Sequence, residues 1–256
     1  MTKIRSEPTT RAVEATIEID APPEAVWRAL TDARELERWF PLEARVEPGE
    51  GGTVFMSWKN EYQAESRITV WEPGLHLQIT WGFTDEEKEI TQFTDFHLEG
   101  AKGGTVLRVV TSGFPDDPAW DAWYEGTRQG WAYELVSLKR YLERYEGQDR
   151  EVVYLRRRVG LTDRDAWTRL FGPGGLPERP LGSRPFIEAP PVQYGGYADD
   201  RNALVRVGNE PCMGKLDHRD VTLWLSAWGA TPEDVQSLRR EWSELLERLY
   251  PEGETL

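Results

Sequence analysis

DDPAWDAWYEGTRQGWAYELVSLKRYLERY, residues Asp116 to Tyr145, has the length and spacing of one long amphipathic helix. Asp116 and Asp117 supply cap oxygens, Pro118 suits the first helical position, and acidic residues crowd the turn where the helix dipole is positive. Steps of 3.6 residues from Trp120 lead through Trp123 or Tyr124, Thr127, Trp131, Leu135, Leu138 and Leu142, so one face is broad, aromatic and suited to burial. Gly126 and Gly130 interrupt it. Each mid-helix glycine costs roughly 0.5–1 kcal/mol relative to alanine, which implies either a close backbone approach or an unfilled space at the helix midpoint.

Upstream, Val13, Ala15, Ile17 and Ile19 alternate with Glu14, Thr16, Glu18 and Asp20, the period of a half-buried strand. Pro23 opens a short helix that places Val26, Trp27 and Leu30 on one face. Asp32 and Glu35 form a capping pair for a second, which carries Leu36, Trp39 and Phe40. Strand-like runs follow at 53–58, 64–71, 75–83, 90–98 and 105–112, divided by glycine and proline turns. Six strands in a meander with one hydrophobic face, and one long helix to cover it, make an α+β fold.

Three segments in this order, IEIDAPPEAVWRALTDARELERWF (17–40), TVWEPGLHLQITW (69–81) and VVTSGFPDD (109–117) leading to GWAYELVSLKRYLE (130–143), resemble the START-related SRPBCC or helix-grip superfamily. Within it they are similar to the Aha-like branch, named for the C-terminal domain of an activator of a heat-shock chaperone ATPase, and the resemblance extends over residues 11–146. It implies a curved antiparallel sheet wrapped around the long C-terminal helix, with a cavity between them that in relatives often holds an apolar or amphipathic ligand. It implies no common chemistry, because transport proteins, enzymes and partner-binding modules share this scaffold.

After Gly147 the pattern begins again. Val153, Leu155, Arg157 and Val159, then Ala166-Trp167 and Leu170, lie 140 residues beyond Val13, Ala15, Ile17, Ile19, Val26-Trp27 and Leu30. Residues 221–229 repeat the pattern of 105–113, and Thr231-Pro232-Glu233-Asp234 opens a capped helix bearing Leu238, Trp242, Leu245, Leu246 and Leu249. Between these ends, residues 171–198 are rich in glycine and proline, leaving 202–207 as the convincing strand. The expected division is therefore a START-related Aha-like domain at 1–148 and a diverged, shortened unit of related layout at 149–256. Arg157 takes the place of an inward aliphatic, so the second unit needs either a partner for it or a slipped or bulged strand there.

The chain has 256 residues, 39% of them hydrophobic, and a net charge of −14, with −11 on residues 1–148 and −3 on 149–256. This balance disfavours nucleic acid and anionic membrane as partners. No apolar run approaches the roughly 20 residues that span a bilayer, and the first dozen residues lack the apolar core of a signal peptide, so a cytoplasmic location is expected. A single cysteine, Cys212, excludes an internal disulfide and reads as a small buried hydrophobe. His76 and His97 fall on the outward phase of their strands, His218 lies in a polar turn, and none has metal-ligand spacing. No metal and no cofactor are therefore expected. Nucleophile elbows and phosphate-binding glycine loops are absent as well.

Twelve tryptophans are many for this length. Trp27, Trp39, Trp58, Trp81, Trp123 and Trp131 all fall on apolar faces of the first unit, as core packing or as walls of a pocket. The reading from sequence is a binding site for a small apolar or amphipathic ligand, lined by Trp39, Met56, Trp58, Ile79, Trp81, Phe96, Trp123, Thr127, Trp131 and Glu134, with no clear catalysis. One alternative is a protein-interaction module resembling a chaperone ATPase activator. Another is an enzyme using a buried carboxylate in the cavity, for which Glu134 is the candidate. Trp224 and Trp228 alternate with the aliphatics of their strand, which suggests contact with the first domain, a protein partner or a second copy in a homodimer.

Overall fold

The computed structural model describes residues 10–59, 63–85, 88–161, 163–175, 194–198, 203–208 and 220–256. Cys212, His218 and most of 171–198 lie outside these, as do the side chains of Phe83 and Ile90. The chain divides into two compact units, Met1–Glu146 and Gly147–Leu256.

The first unit is one antiparallel sheet and three helices. Strand β1 (Thr10–Ile19) leads to α1 (Pro23–Thr31) and α2 (Ala33–Glu37), then come β2 (Glu43–Val46), β3 (Thr53–Ser57), β4 (Gln63–Glu72), β5 (His76–Asp85), β6 (Lys88–Ala101) and β7 (Gly104–Pro115). A 3-10 turn at Pro118–Trp120 runs into the long helix α3 (Asp121–Arg144). The sheet order is β1-β7-β6-β5-β4-β3-β2. It is a meander closed by the return of β1 beside β7, and it has seven strands where the sequence suggested six. The additional one, β2, is a four-residue edge strand whose single buried residue, Ala44, carries too little hydrophobic signal to be recognised.

Local chemistry sets the ends of these elements. Asp32 accepts a hydrogen bond from the Glu35 amide at 3.0 Å, as the capping pair predicts. Asp117 caps through the Ala119 amide at 2.9 Å, but the turn it starts is 3-10, and α3 proper begins at Asp121. Two irregularities interrupt the ladders, between Arg11 and Ala12 opposite β7, and between Ile68 and Val70 opposite β5. At the first, the pairing passes from Ser112 to Phe114 and skips Gly113, whose φ is +92°. A Cβ there would meet the Thr91 carbonyl oxygen at 2.6 Å, so glycine permits the bulge. The extra residue turns Phe114 inward, and the Phe114 ring is fully buried.

Helix α3 packs on the inner face of this sheet. Its start is tied to the β1–β7 edge: Arg11 pairs with Asp121 at 2.6 Å, and the Tyr124 hydroxyl donates to the Ala12 carbonyl. Its second half is tied to α2 and to the end of β1. Ser137 donates to the Trp39 carbonyl at 2.9 Å, Tyr141 donates to Glu35, and Glu143 accepts from the Asp20 amide.

In the second unit, β8 (Arg150–Arg158), α4 (Asp163–Phe171), β9 (Tyr194–Ala198), β10 (Ala203–Gly208), β11 (Asp220–Trp228), α5 (Pro232–Leu249) and β12 (Glu254–Thr255) form a sheet of order β12-β8-β11-β10-β9. Strand β9 corrects the expectation that the glycine-rich 171–198 stretch holds no strand. The register between β8 and β11 runs unbroken from Asp220↔Arg158 to Trp228↔Arg150, so no slip occurs at Arg157. Arg157 is buried and partnered instead: Nε donates to the Tyr250 carbonyl at 2.8 Å and Nη1 to Thr255 at 2.7 Å. The cation thus sits at the C-terminal end of α5, where carbonyls lack helical partners and the dipole is negative. The Thr231–Asp234 capping box opens α5 as predicted.

Trp224 and Trp228 are 6% and 0% exposed, and Trp224 packs on Tyr154 with ring centroids 4.9 Å apart. Among the described residues, no helix is long and apolar enough to cross a membrane.

Candidate functional site

The inner face of the first unit has two halves of different character. In one, Trp39, Met56, Ile79 and Phe96 are 0–4% exposed and pack with Leu30, Leu36, Phe40, Val54 and Leu77. The space left among them is about 10 Å³, roughly one water, so this half is a filled core. Phe40 organises it, stacking on Trp39 at 5.0 Å and meeting Trp58 and Trp131 at 5.1 and 5.6 Å.

The other half begins at Trp131, whose ring meets Phe96 at 5.6 Å on the core side. On the far side its indole donates to Thr111 Oγ1 at 2.9 Å. Thr111 Oγ1 is bonded to Thr94 Oγ1 at 3.1 Å, and Thr94 Oγ1 accepts from the Trp81 indole at 3.1 Å. Next along β6, Gln92 accepts from the Trp123 indole at 3.2 Å through Oε1. Gln92, Thr94 and Thr111 are 1–4% exposed, a polar floor inside the domain. The Gln92 amide nitrogen is buried with no hydrogen-bond partner among the described residues.

Above this floor the walls are half-open. Trp81, Trp123 and Thr127 are partly buried, as is Gly130, where an added Cβ would meet no atom within 4 Å. Of the two explanations for a glycine at the helix midpoint, Gly130 thus fits open space rather than close approach. Thr127 Oγ1 donates back to the Trp123 carbonyl at 2.9 Å, and Glu134, one turn beyond Gly130, is 5% exposed.

The structure thus separates the ten residues anticipated from sequence. Trp39, Met56, Ile79 and Phe96 close a core, with Trp58 at its rim. Trp131 stands at the boundary, Trp81, Trp123 and Thr127 surround the polar half, and Glu134 is buried on α3. Trp27 belongs to neither half and packs edge-on against Trp71 at 5.1 Å. Sequence reasoning missed Gln92, Thr94 and Thr111. The first two share the inward phase of Phe96 and Leu98, so the signal was two polar residues in a hydrophobic register.

The outer face of the sheet carries a second group. His76 and His97 are outward as expected, but they are direct partners across β5 and β6, with rings stacked 4.2 Å apart. The two histidines thus meet in space although they lack metal-ligand spacing along the chain. His76 Nε2 lies 2.7 Å from Asp95 Oδ1, which also accepts from Gln78 at 2.8 Å. Burial first, and then the facing His76, hold the His97 imidazole below its usual pKa, so its neutral form is favoured. An open depression of about 570 Å³ lies beside them, lined also by Glu72, Glu99 and Arg108. Leu75, the first residue of the strand-like run at 75–83, lines it too and is 63% exposed, because it belongs to the turn before β5.

Residues 20–143 match the family described as Activator of Hsp90 ATPase homolog 1-like protein. No curated protein matches the chain significantly. Among solved structures, a Mesorhizobium loti protein is 28% identical, with 53% of this chain and 99% of that one covered and a TM-score of 0.49. The Aha1 dimer from Colwellia psychrerythraea is 23% identical over 54% of this chain and 99% of its own, with a TM-score of 0.48. The DynU16 protein of the dynemicin biosynthetic locus is 18% identical, covering 94% of this chain and 96% of its own at a TM-score of 0.45. With its antiparallel sheet and long C-terminal helix, the first unit has the helix-grip fold of the Activator of Hsp90 ATPase homolog 1-like family, whose model its residues 20–143 match.

Proposed function

We propose that the first unit binds a small amphipathic molecule between the first half of α3 and the inner face of β5–β7. The observation that carries this reading is the buried Gln92 amide nitrogen with no hydrogen-bond partner among the described residues, set between the half-buried rings of Trp81 and Trp123. A buried amide donor left unpaired costs about 1–3 kcal/mol, and a ligand acceptor at this point would recover that. Rigid aromatic walls with a few placed polar groups are the usual construction of a small-molecule site. The filled core around Phe40 supports a ligand confined to the polar half rather than one running the length of the helix.

Thr127→Trp tests the site, because an indole there would occupy the space beside Gly130. The expected result is loss of binding of a fluorescent amphipathic probe with little change in the urea midpoint. If the space is filled by packing, the same change overpacks it and costs about 1–3 kcal/mol. That outcome, with a wild type that binds no probe, would favour the partner-binding reading that the family description suggests.

We also infer that residues 149–256 are a shortened relative of the first unit. Both run from a strand through a helix to a meander and a long helix, and in both the first strand pairs with the last long strand. A fragment of residues 1–148 is expected to fold alone, and a fragment without near-ultraviolet circular dichroism would count against the division.

A further inference from the structure

On the opposite face of the sheet from the interior site, we propose that His76, His97 and Asp95 form a binding site for a divalent transition-metal ion of the zinc type. The three donors come from two adjacent strands. Pairing of β5 with β6 sets His76 opposite His97 and Gln78 opposite Asp95, so alternation brings all four side chains to one patch of the outer face. One ligand atom from each of the two histidines and the aspartate lies within 4.8 Å of the others. Donors bound to one tetrahedral ion at about 2.0–2.2 Å are roughly 3.3 Å apart, so closure needs movements of ~1.5 Å, which ring rotation supplies.

Several features of the patch favour a cation. Asp95 is already oriented by Gln78 at 2.8 Å, the kind of outer hydrogen bond that positions a ligating carboxylate. Glu72 and Glu99 add carboxylates around the depression. Arg108, the nearby positive charge, is turned to Glu14, with contacts of 2.6 and 3.2 Å. Two imidazoles and one carboxylate suit zinc, nickel, cobalt or copper rather than magnesium or calcium, which take oxygen ligands. Three protein ligands leave the fourth position facing the open depression, accessible to water or to a donor from solution.

Such a site is invisible to a search for ligand spacing along the chain. The histidines are 21 residues apart and meet because of strand register.

The test is titration of the full chain, stripped by a chelator, with Zn²⁺ against a chromophoric competitor. One equivalent is expected to bind in the wild type, with affinity reduced at least tenfold by His97→Ala and by His76→Ala. Gln78→Leu is expected to weaken it roughly 10- to 100-fold. Equal binding in the wild type and both histidine variants would overturn the proposal and move the ion to other ligands, such as Cys212 and His218. No binding in the wild type would also overturn it, leaving a stacked histidine pair held by Asp95. If an alanine variant fails to fold, the histidine ring signals of the wild type decide by nuclear magnetic resonance. Shifts at His76 and His97 on adding Zn²⁺ support the site, and shifts at His218 alone, or none, refute it.

Discussion

Helices α3 and α5 hold the same place in their units, each following the last long strand of its sheet, yet they turn different residues inward. Along α5 the inward stripe is Leu238, Trp242, Leu245, Leu246 and Leu249, all 0–7% exposed. Along α3 apolar residues such as Trp131, Leu135, Leu138 and Leu142 are interleaved with Ser137, Glu134, Gly130 and Thr127, and burial fades toward the start of the helix. An unbroken apolar stripe closes a core. Small and polar residues in the same stripe reduce the apolar packing of helix on sheet, beside the buried polar side chains of Gln92, Thr94 and Thr111.

The sharpest way to break this contrast is Trp242→Ala. A fully buried indole in a closed core should cost about 3–5 kcal/mol in urea denaturation, with the loss confined to the second unit. A cost under about 1 kcal/mol would mean that α5 does not close its core. Arg157→Met tests how the end of α5 is held. Removing the donors to the Tyr250 carbonyl and Thr255 should cost about 1.5–3 kcal/mol by thermal unfolding, and a neutral result would show that the aliphatic stem alone suffices. Gly130→Ala has the smallest expected effect and the opposite sign. Its new methyl meets nothing within 4 Å, so the helix should gain about 0.5–1 kcal/mol, and destabilisation would show that the space is already occupied.

Most of the first unit was legible because its signals are local. Alternation marked β1 and the meander, Asp32 and Glu35 marked α2, and the 3.6-residue stripe marked α3. Strand β2 is short and at an edge, so it had almost no pattern to read. In β9 the chain is YGGY, and pairing with β10 outweighs the poor strand propensity of glycine. Four of the ten anticipated site residues lie in the filled core for a related reason. Trp39, Met56, Ile79 and Phe96 face inward as read, but inward phase does not tell a filled interior from an open one.

By itself the sequence determined the fold class, most inward faces, the caps of α2 and α5 and the family resemblance, since each follows from periodicity or from residues close in the chain. Tertiary structure alone decided which inward residues close the filled core around Phe40, because that depends on how side chains from several elements fill a common volume. It also decided that Arg157 is satisfied by a carbonyl 93 residues away. Strand register decided the last point: His76 and His97, remote in sequence, stand face to face beside Asp95, since hydrogen bonding between β5 and β6 sets which residues are opposite.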